Sequence, residues 1–394
     1  MAIRTMDELD LKGKRVFIRV DFNVPLDASR RITDDTRIRA SLPTIRYARE
    51  KGAKVVLASH LGRPKGKRVP EMGLAPVAAR LAELLGCPVR TVGDCIGSEV
   101  DRAVSSLQPG EVLLLENLRF HKEETDNEPA FSEALSSLAD VYVNDAFGAA
   151  HRAHASTAGM VGHVKEVAAG FLMRKEIQYL EEALKAPARP FLTILGGAKV
   201  SDKIGVVKNL LPKVDALLIG GGMANTYLSS KGYSVGASKV EEDKKQEAAQ
   251  VLEQAGRMAR KILLPEDLVV ARAMEATAET RVVSADQIPE GWLALDIGPK
   301  TRQRFRAEIL GAKTIVWNGP MGVFEMPPFA EGTREVARAV AEAKAVTIVG
   351  GGDTVAALEK EGLTDRITHV STGGGASLEY LEGRDMPGIT ALNR

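Results

Sequence analysis

Ten times along this chain, a short β-branched or Leu-rich run gives way to a polar or glycine-rich loop and then to a helical pattern. In the first half the runs are RVFIRV (Arg15–Val20), KVVLAS (Lys54–Ser59), VLLLEN (Val112–Asn117) and VYVND (Val141–Asp145). The second half supplies FLTIL (Phe191–Leu195), ALLIG (Ala216–Gly220), KILLP (Lys261–Pro265), TIVWN (Thr314–Asn318), VTIVG (Val346–Gly350) and THVST (Thr368–Thr372). Several are apolar at consecutive positions, as strands covered on both faces are. Their alternation with helical stretches predicts an α/β fold of doubly wound parallel sheets. At 394 residues the chain is too long for the usual single domain, so two such domains are expected.

Charge and cysteine usage narrow the class. A net charge of +1 leaves no global field to draw nucleic acid or an anionic membrane, so anion affinity must come from local placement. Cys87 and Cys95 are too few for a disulfide framework, and neither stands in a metal-ligand spacing. The opening MAIRTMDELDLKGKRV lacks an apolar signal core, and no apolar run reaches membrane-span length. A soluble cytoplasmic protein is the expectation.

The stretch FLMRKEIQYLEEALKAPARP (Phe171–Pro190) suggests where the domains divide. Ile177, Leu180 and Leu184 follow helical spacing, and the helix must stop around Ala186-Pro187, with Pro190 just beyond. A stiff connector and an ordinary crossover helix fit this pattern equally well. As a connector it makes residues 1–170 one domain, 171–189 a helical hinge and 190–377 the other, with a cleft between them.

Open α/β sheets bind ligands at the carboxyl ends of their strands. In the first half those ends are basic. VDFNVP supplies Asp21 and Asn23, DDTRIRA Arg37, SHLGRP His60 and Arg63, ENLRF Arg119, and NDAFGAAHRAHAST His151, Arg152 and His154. Any one arginine could be a surface ion pair. Arginines at four separate strand ends instead imply a basic pocket for a small, multiply negative substrate, since guanidinium grips carboxylate and phosphate in bidentate fashion. His151 and His154 stand at metal-ligand spacing without a third ligand, so anion contact or support is the better reading.

The second half has glycine at its strand ends: GGAK, GGGMANTY, NGPMGVFE, GGGDTVAAL and STGGGASLEYL. Such loops let backbone N–H groups approach a phosphate at a helix start. A dinucleotide fingerprint fails, because its third glycine would fall on Asn225, Val355 or Leu378. A P-loop fails as well, since no Gly-Lys pair precedes Ser or Thr. A mononucleotide site of another design remains. Asp353, where VTIVGGGDT turns into a helix, could hold Mg²⁺ against nucleotide phosphates or simply cap the helix. In VSDKIGVVKNLL the apolar stripe is Val200, Ile204, Val207 and Leu211, and Lys199 and Lys203 should lie along one flank near the helix start. Two cations are disfavoured there, which points to a shared anion; a solvated helix end with Asp202 as partner is the alternative.

RVDFNVP, SHLGRP, ENLRF, AHRAHAST, LGGAKVSDKI, GGGMANTY, NGPMGVFE, GGGDT and STGGGASLE occur in the order found in phosphoglycerate kinases, and the chain resembles that family over essentially its whole length. The resemblance implies Mg²⁺-dependent, reversible phosphoryl transfer from 1,3-bisphosphoglycerate to ADP, giving 3-phosphoglycerate and ATP, by a monomer. It implies a 3-phosphoglycerate site of Asp21, Asn23, Arg37, His60, Arg63, Arg119 and Arg152. For the nucleotide it implies Gly197, Lys203, Gly221, Asn318, Glu325, Gly351, Gly352, Asp353 and Thr354, with Asp353 on the metal. Three catalytic roles follow the same way: Arg37 steadies the acceptor carboxylate, Lys199 follows the transferring phosphoryl group, and Gly374 belongs to the Gly373–Gly375 loop that meets it on closure. The final segment, 378–394, is expected to pack back on the first domain. Another acyl-phosphate-forming kinase or ligase and a non-enzymatic nucleotide-binding scaffold are the competing readings; the paired lysines and the anion-facing arginines favour transfer.

Overall fold

The computed structural model describes residues 3–393, which fall into two compact units: Met1–Gln178 with Asp385–Arg394, and Tyr179–Arg384. In the first unit the strands are β1 (Arg15–Arg19), β2 (Lys54–Ala58), β3 (Val89–Thr91), β4 (Val112–Leu114), β5 (Val141–Asn144) and β6 (Glu166–Ala169). They form one parallel sheet in the order β3-β4-β2-β1-β5-β6. The central strand β1 is buried from Val16 to Arg19, as helices on both faces require. Its strand-order reversal beside β1 is the switch point at which such sheets bind ligands. Two strands, β3 and β6, were not among the expected runs. The first is only half-buried and three residues long, and EVAA carries too little β-branching to stand out.

The chain's last residues complete this unit. Asn144 Nδ2 donates to Gly388 O at 3.1 Å, and Gly388 N donates to Ala150 O at 2.9 Å. A Cβ at Gly388 would lie 2.9 Å from Ala150 Cα, so glycine is what permits this approach. Leu378–Arg384 stays with the second unit, where Asn209 Nδ2 donates to Leu381 O.

The helix Phe171–Lys185 starts where side chains meet its first amides: Thr44 Oγ1 accepts from Phe171 N and Asp145 Oδ1 from Met173 N. It ends before Pro187, as expected, because proline cannot continue a helix. The division between units falls inside it, after Gln178.

The second unit holds β7 (Phe191–Leu195), β8 (Ala216–Ile219), β9 (Lys261–Leu263), β10 (Asp267–Ala271), β11 (Thr280–Ser284), β12 (Leu293–Ile297), β13 (Thr314–Asn318), β14 (Val346–Gly350) and β15 (His369–Val370). Six make a parallel sheet in the order β15-β14-β13-β7-β8-β9. The other three depart from the all-parallel expectation: β11-β10-β12 is a separate antiparallel sheet, bulged between Val269 and Val270. Its core gathers Leu228, Leu268, Val270 and Trp292, over which Arg281 and Arg272 lie at 4.6 and 5.4 Å from the indole. Because β11 is mostly exposed, it lacks the apolar run that marks a covered strand. In the main sheet Trp317 on β13 is fully buried, with its indole N–H donating to Gly319 O at 2.9 Å. Truncating it to alanine should cost about 3–5 kcal/mol.

Candidate functional site

The carboxyl ends of β1, β2, β4 and β5 surround a polar cluster in the first unit. At its centre is Arg19, the last residue of β1, with no exposed surface. Its Nε donates to Ser156 Oγ at 2.8 Å, Nη1 donates to Val20 O, and Nη2 lies 3.2 Å from His60 Nδ1. Two residues beyond β1, Asp21 accepts from Arg37 Nη1 at 2.9 Å, so the start of the helix Thr36–Glu50 is tied to the strand end. Asn23 Oδ1 accepts from Gly62 N at 2.8 Å, and Arg119 Nη1 donates to Gly62 O at 3.0 Å. The loop after β2 is thereby held from both sides.

Electrostatics define the cluster's character. Burial, and then the charges of Arg19, Arg119 and Arg37, hold His60 well below its ordinary pKa. Burial with Arg119, Arg19 and Arg152 pushes His154 down to about 3. Neither histidine is therefore an ion-pair partner, although His60 Nδ1 lies 3.9 Å from Asp21 and His154 Nδ1 lies 3.8 Å from Glu124. Burial and neighbouring Arg19 bring even Arg119 down to about 10. Its Nε is buried with no hydrogen-bond partner, an unusual cost for a charged donor. The cations outnumber the acids that face them, Asp21 and Glu124, and Glu124 is already engaged by Ser156 N and Oγ. Positive charge is thus left in excess, which an anion can offset.

Of the residues expected here, Asp21, Asn23, Arg37, His60, Arg119 and Arg152 come together through these bonds and mutual charges. Arg63 is exposed and makes no hydrogen bond or ion pair among the described residues. Arg152, also exposed, donates from Nε to His151 Nε2 at 3.0 Å. Arg19 and Glu124 were missed. A charged residue closing the apolar run RVFIR was the available signal for Arg19; nothing in HKEET marks Glu124 as buried.

In the second unit the strand-end loops pack on one another through backbone. Gly196 N donates to Asn318 O, Gly197 N to Pro320 O, Gly221 N to Met321 O and Met223 N to Gly197 O, at 2.9 to 3.0 Å. These amides, expected to face phosphate, are spent on neighbouring loops. Glycine is needed for that packing: at Gly221 (φ +65°) a Cβ would fall 2.7 Å from Gly197 N and 2.8 Å from Pro320 O. Gly319 N donates to Thr354 Oγ1 at 2.7 Å, joining the loop after β13 to the helix Gly352–Lys360.

The two lysines correct the expected geometry. The helix begins at Ile204, with Lys203 as its N-cap, so Lys199 lies outside it and the pair does not share a flank. The turn before the helix closes on Val200 O, which accepts from Lys203 N and Ile204 N at 2.9 and 2.8 Å, while Ser201 N and Oγ bond Glu241. Lys203 is buried, its Nζ donating to Gly196 O at 2.5 Å and Asn318 O at 2.9 Å, and burial lowers its pKa to about 8. An ammonium has three donors, so one remains. Lys199 is exposed, with no hydrogen bond or ion pair among the described residues. The apolar stripe Val200, Ile204, Val207 and Leu211 is buried as expected.

Asn318 is buried, and its Nδ2 has no partner and stands 2.9 Å from where a Cβ on Gly351 would sit. Gly351 (φ +95°) precedes the helix Gly352–Lys360, whose first turn has no side-chain cap. Asp353 in that turn is exposed and makes no hydrogen bond, so it is not the helix cap weighed from the sequence. Gly352 faces open space, Glu325 is exposed, and Gly374 (φ +53°) precedes the short helix Gly375–Leu381.

An arginine cluster on one parallel sheet and uncapped glycine loops around a buried lysine on another define an α/β phosphotransferase. The chain belongs to the phosphoglycerate kinase family, whose model, described as phosphoglycerate kinase, matches residues 6–384. It is similar to the phosphoglycerate kinase of Moorella thermoacetica, 60% identical over 392 residues that cover 100% of this chain and 99% of that protein. The Anaeromyxobacter dehalogenans enzyme is 59% identical over 393 residues, 99% of each. Among solved structures, phosphoglycerate kinase from Coxiella burnetii superposes with a TM-score of 0.90 at 43% identity, covering 99% of both chains. That from Pyrococcus horikoshii gives 0.87 at 36% identity, covering 99% of this chain and 98% of that one. The chain is thus a kinase with a carboxyl group as acceptor, moving a phosphoryl group reversibly between 1,3-bisphosphoglycerate and ADP. Among the described residues no helix is long and apolar enough to cross a membrane.

Proposed function

We propose that residues 1–170 bind 3-phosphoglycerate, that 190–377 bind ADP or ATP, and that 171–189 connect them. The observation that carries the first assignment is the surplus of guanidinium groups at the strand ends, with Arg119 Nε buried and unpartnered. A small phosphorylated carboxylate would satisfy that donor and offset the crowding of like charge. In this reading Asp21 and Asn23 hold Arg37 and the Gly62 loop in place, while Arg63, Arg119 and Arg152 grip the anion. His60, neutral with its proton on Nε2, donates one hydrogen bond.

In the nucleotide half, the remaining Lys203 donor, Asn318 Nδ2 and the uncapped amides at Gly351–Thr354 are groups that phosphate oxygens can satisfy. Gly197 and Gly221 shape this floor, and Glu325, exposed in the loop after β13, is available to the nucleotide. Asp353 offers an unengaged oxygen donor of the type Mg²⁺ takes; bound there, the ion would neutralise charge on the nucleotide's phosphates. No general base is required, because the attacking carboxylate is already ionised. Arg37 steadies that carboxylate, and exposed Lys199 and the Gly374 loop are available to the phosphoryl group as it moves. What remains is in-line positioning with water kept out, since hydrolysis of ATP competes.

A coupled assay tests the reading: ATP, 3-phosphoglycerate and Mg²⁺, with glyceraldehyde-3-phosphate dehydrogenase reporting acyl phosphate through loss of NADH. Loss that depends on all three is expected. No signal under these conditions overturns the assignment.

A further inference from the structure

On the segment that also carries Arg119, and on the loop after β3, the first unit gathers three metal-ligating side chains that the arginine cluster does not use. Asp94 and Cys95 follow β3, and His121 stands between the turn Leu118–Phe120 and the helix Lys122–Asp126. One carboxylate oxygen of Asp94, the Cys95 Sγ and a ring nitrogen of His121 all lie within 4.8 Å of one another. Glu116 N donates to Asp94 O at 3.3 Å, which ties the first loop to the strand end that leads to the second. His121 Nε2 lies 2.6 Å from Asp94 Oδ1, and the same oxygen accepts from Cys95 N at 2.7 Å. His121 also packs against Phe131, with ring centroids 5.2 Å apart.

We propose that Asp94, Cys95 and His121 form a binding site for one divalent transition-metal ion of the Zn²⁺ type. Thiolate, imidazole and carboxylate are the ligands that ion takes, whereas Mg²⁺ takes oxygen alone. The thiolate and carboxylate together balance the ion's charge, so the filled site is neutral although Cys95 is fully buried. Tetrahedral ligands at ordinary Zn²⁺ distances stand roughly 3.3–3.8 Å apart. The His121–Asp94 contact therefore opens by less than about 1 Å while the thiol closes in. Entry is from the side of Asp94 and His121, whose side chains are 40% and 26% exposed. Without metal, burial and the adjacent Asp94 carboxylate hold the thiol protonated, which removes the competing reading of Cys95 as a nucleophile. Two features oppose binding: the protonated thiol must give up its proton to ligate, and a cation stands nearby. Arg68, whose guanidinium bonds Gly93 O and lies over the Phe120 ring, places positive charge near Asp94.

The test uses the full, tag-free chain stripped of metal, titrated with Co²⁺ and then with Zn²⁺. One equivalent of Co²⁺ should develop thiolate-to-metal absorption, and Zn²⁺ should abolish it. Cys95→Ser should remove the absorption, His121→Gln should weaken Zn²⁺ binding at least about tenfold, and Arg68→Gln should tighten it. Cys87→Ser should change nothing. Circular dichroism melting without metal checks that each variant folds, and Asp94→Asn, at a half-exposed position, replaces Cys95→Ser if that one does not. Absorption that survives in Cys95→Ser, or wild type without a saturable single equivalent, overturns the proposal.

Discussion

Arg19 Nη2 stands 3.2 Å from His60 Nδ1. A guanidinium only donates, so Nδ1 must accept, and the imidazole carries its single proton on Nε2. Burial and the Arg19 charge both hold it in that neutral state. The ring nitrogens of His60 should therefore keep a neutral, Nε2-protonated NMR signature as pH falls past the ordinary histidine value. Arg19→Met should raise the pKa of His60, since Arg19 is the largest of the charges acting on it. An unchanged titration in that variant would mean that burial alone sets the protonation state.

Arg63 and Arg119 separate binding from framework. Arg63 has no partner to lose, so Arg63→Ala should leave the melting temperature unchanged. It should raise KM for 3-phosphoglycerate by roughly ten- to a hundredfold, the worth of a charge-assisted contact, and leave KM for ATP nearly unaltered. Arg119→Ala should weaken 3-phosphoglycerate as well, and also loosen the loop that Arg119 holds through Gly62 O. Equal damage to ATP binding in either variant would dissolve the proposed division of labour.

How much of this was legible follows from what each residue type betrays. Asp21, Arg37, His60 and Arg119 could be placed together because parallel strands deliver their carboxyl ends to one edge, and the apolar runs located those strands. Arg19 could not, because burying a guanidinium depends on partners distant in sequence, Ser156 at 137 residues and His60 at 41. The antiparallel β11-β10-β12 sheet escaped because Thr280–Ser284 is exposed and its partners are set by tertiary pairing. Lys203 was read as a helix-flank cation because the period continues back through Val200. In the fold its Nζ turns inward to two carbonyls, a choice no local pattern encodes.

That inward turn makes the two lysines separable. Lys203→Ala strands Gly196 O without its donor and leaves Asn318 O with only Gly196 N, and should destabilise the second unit by about 1–3 kcal/mol while weakening nucleotide. Lys199→Ala should leave stability alone and lower kcat far more than it weakens nucleotide binding. If kcat and binding fall together in Lys199→Ala, the residue is a nucleotide contact and nothing more.

Gly221 and Gly352 offer the same contrast in backbone. At Gly221 a Cβ would collide with backbone atoms of two loops, and its φ of +65° is strained for any other residue. Gly221→Ala should cost several kcal/mol, the sum of overpacking at about 1–3 and strain at about 1–3. At Gly352 a Cβ meets nothing within 4 Å, so Gly352→Ala should melt like wild type. Lost ATP affinity in that stable variant would mark the position as one where phosphate comes close, whereas full activity would remove Gly352 from the proposed nucleotide site.

Two buried aspartates give the protein an unusual dependence on pH. Asp145, at the start of the helix Phe171–Lys185, is raised to about 7 by burial, against the pull of Thr44 and the Met173 and Leu172 amides; its Oδ2 has no partner. Asp296 is raised by burial to about 7 as well. Between about pH 4 and pH 7 each is protonated when folded and ionised when unfolded, so the folded state binds more protons and stability falls as pH rises. His60 and His154, held below their ordinary value, act in reverse: below about pH 6.5 the unfolded state binds more protons, so their contribution falls as pH falls. The two pairs therefore oppose each other in this range. Asparagine copies the neutral acid at position 145 and keeps an acceptor for Met173 N. Asp145→Asn should therefore match wild type near pH 4.5 and gain on it by about 1.4 kcal/mol per pH unit as far as about pH 7. Urea midpoints at a series of pH values measure this directly; a constant offset between the two proteins would show that Asp145 is ionised throughout.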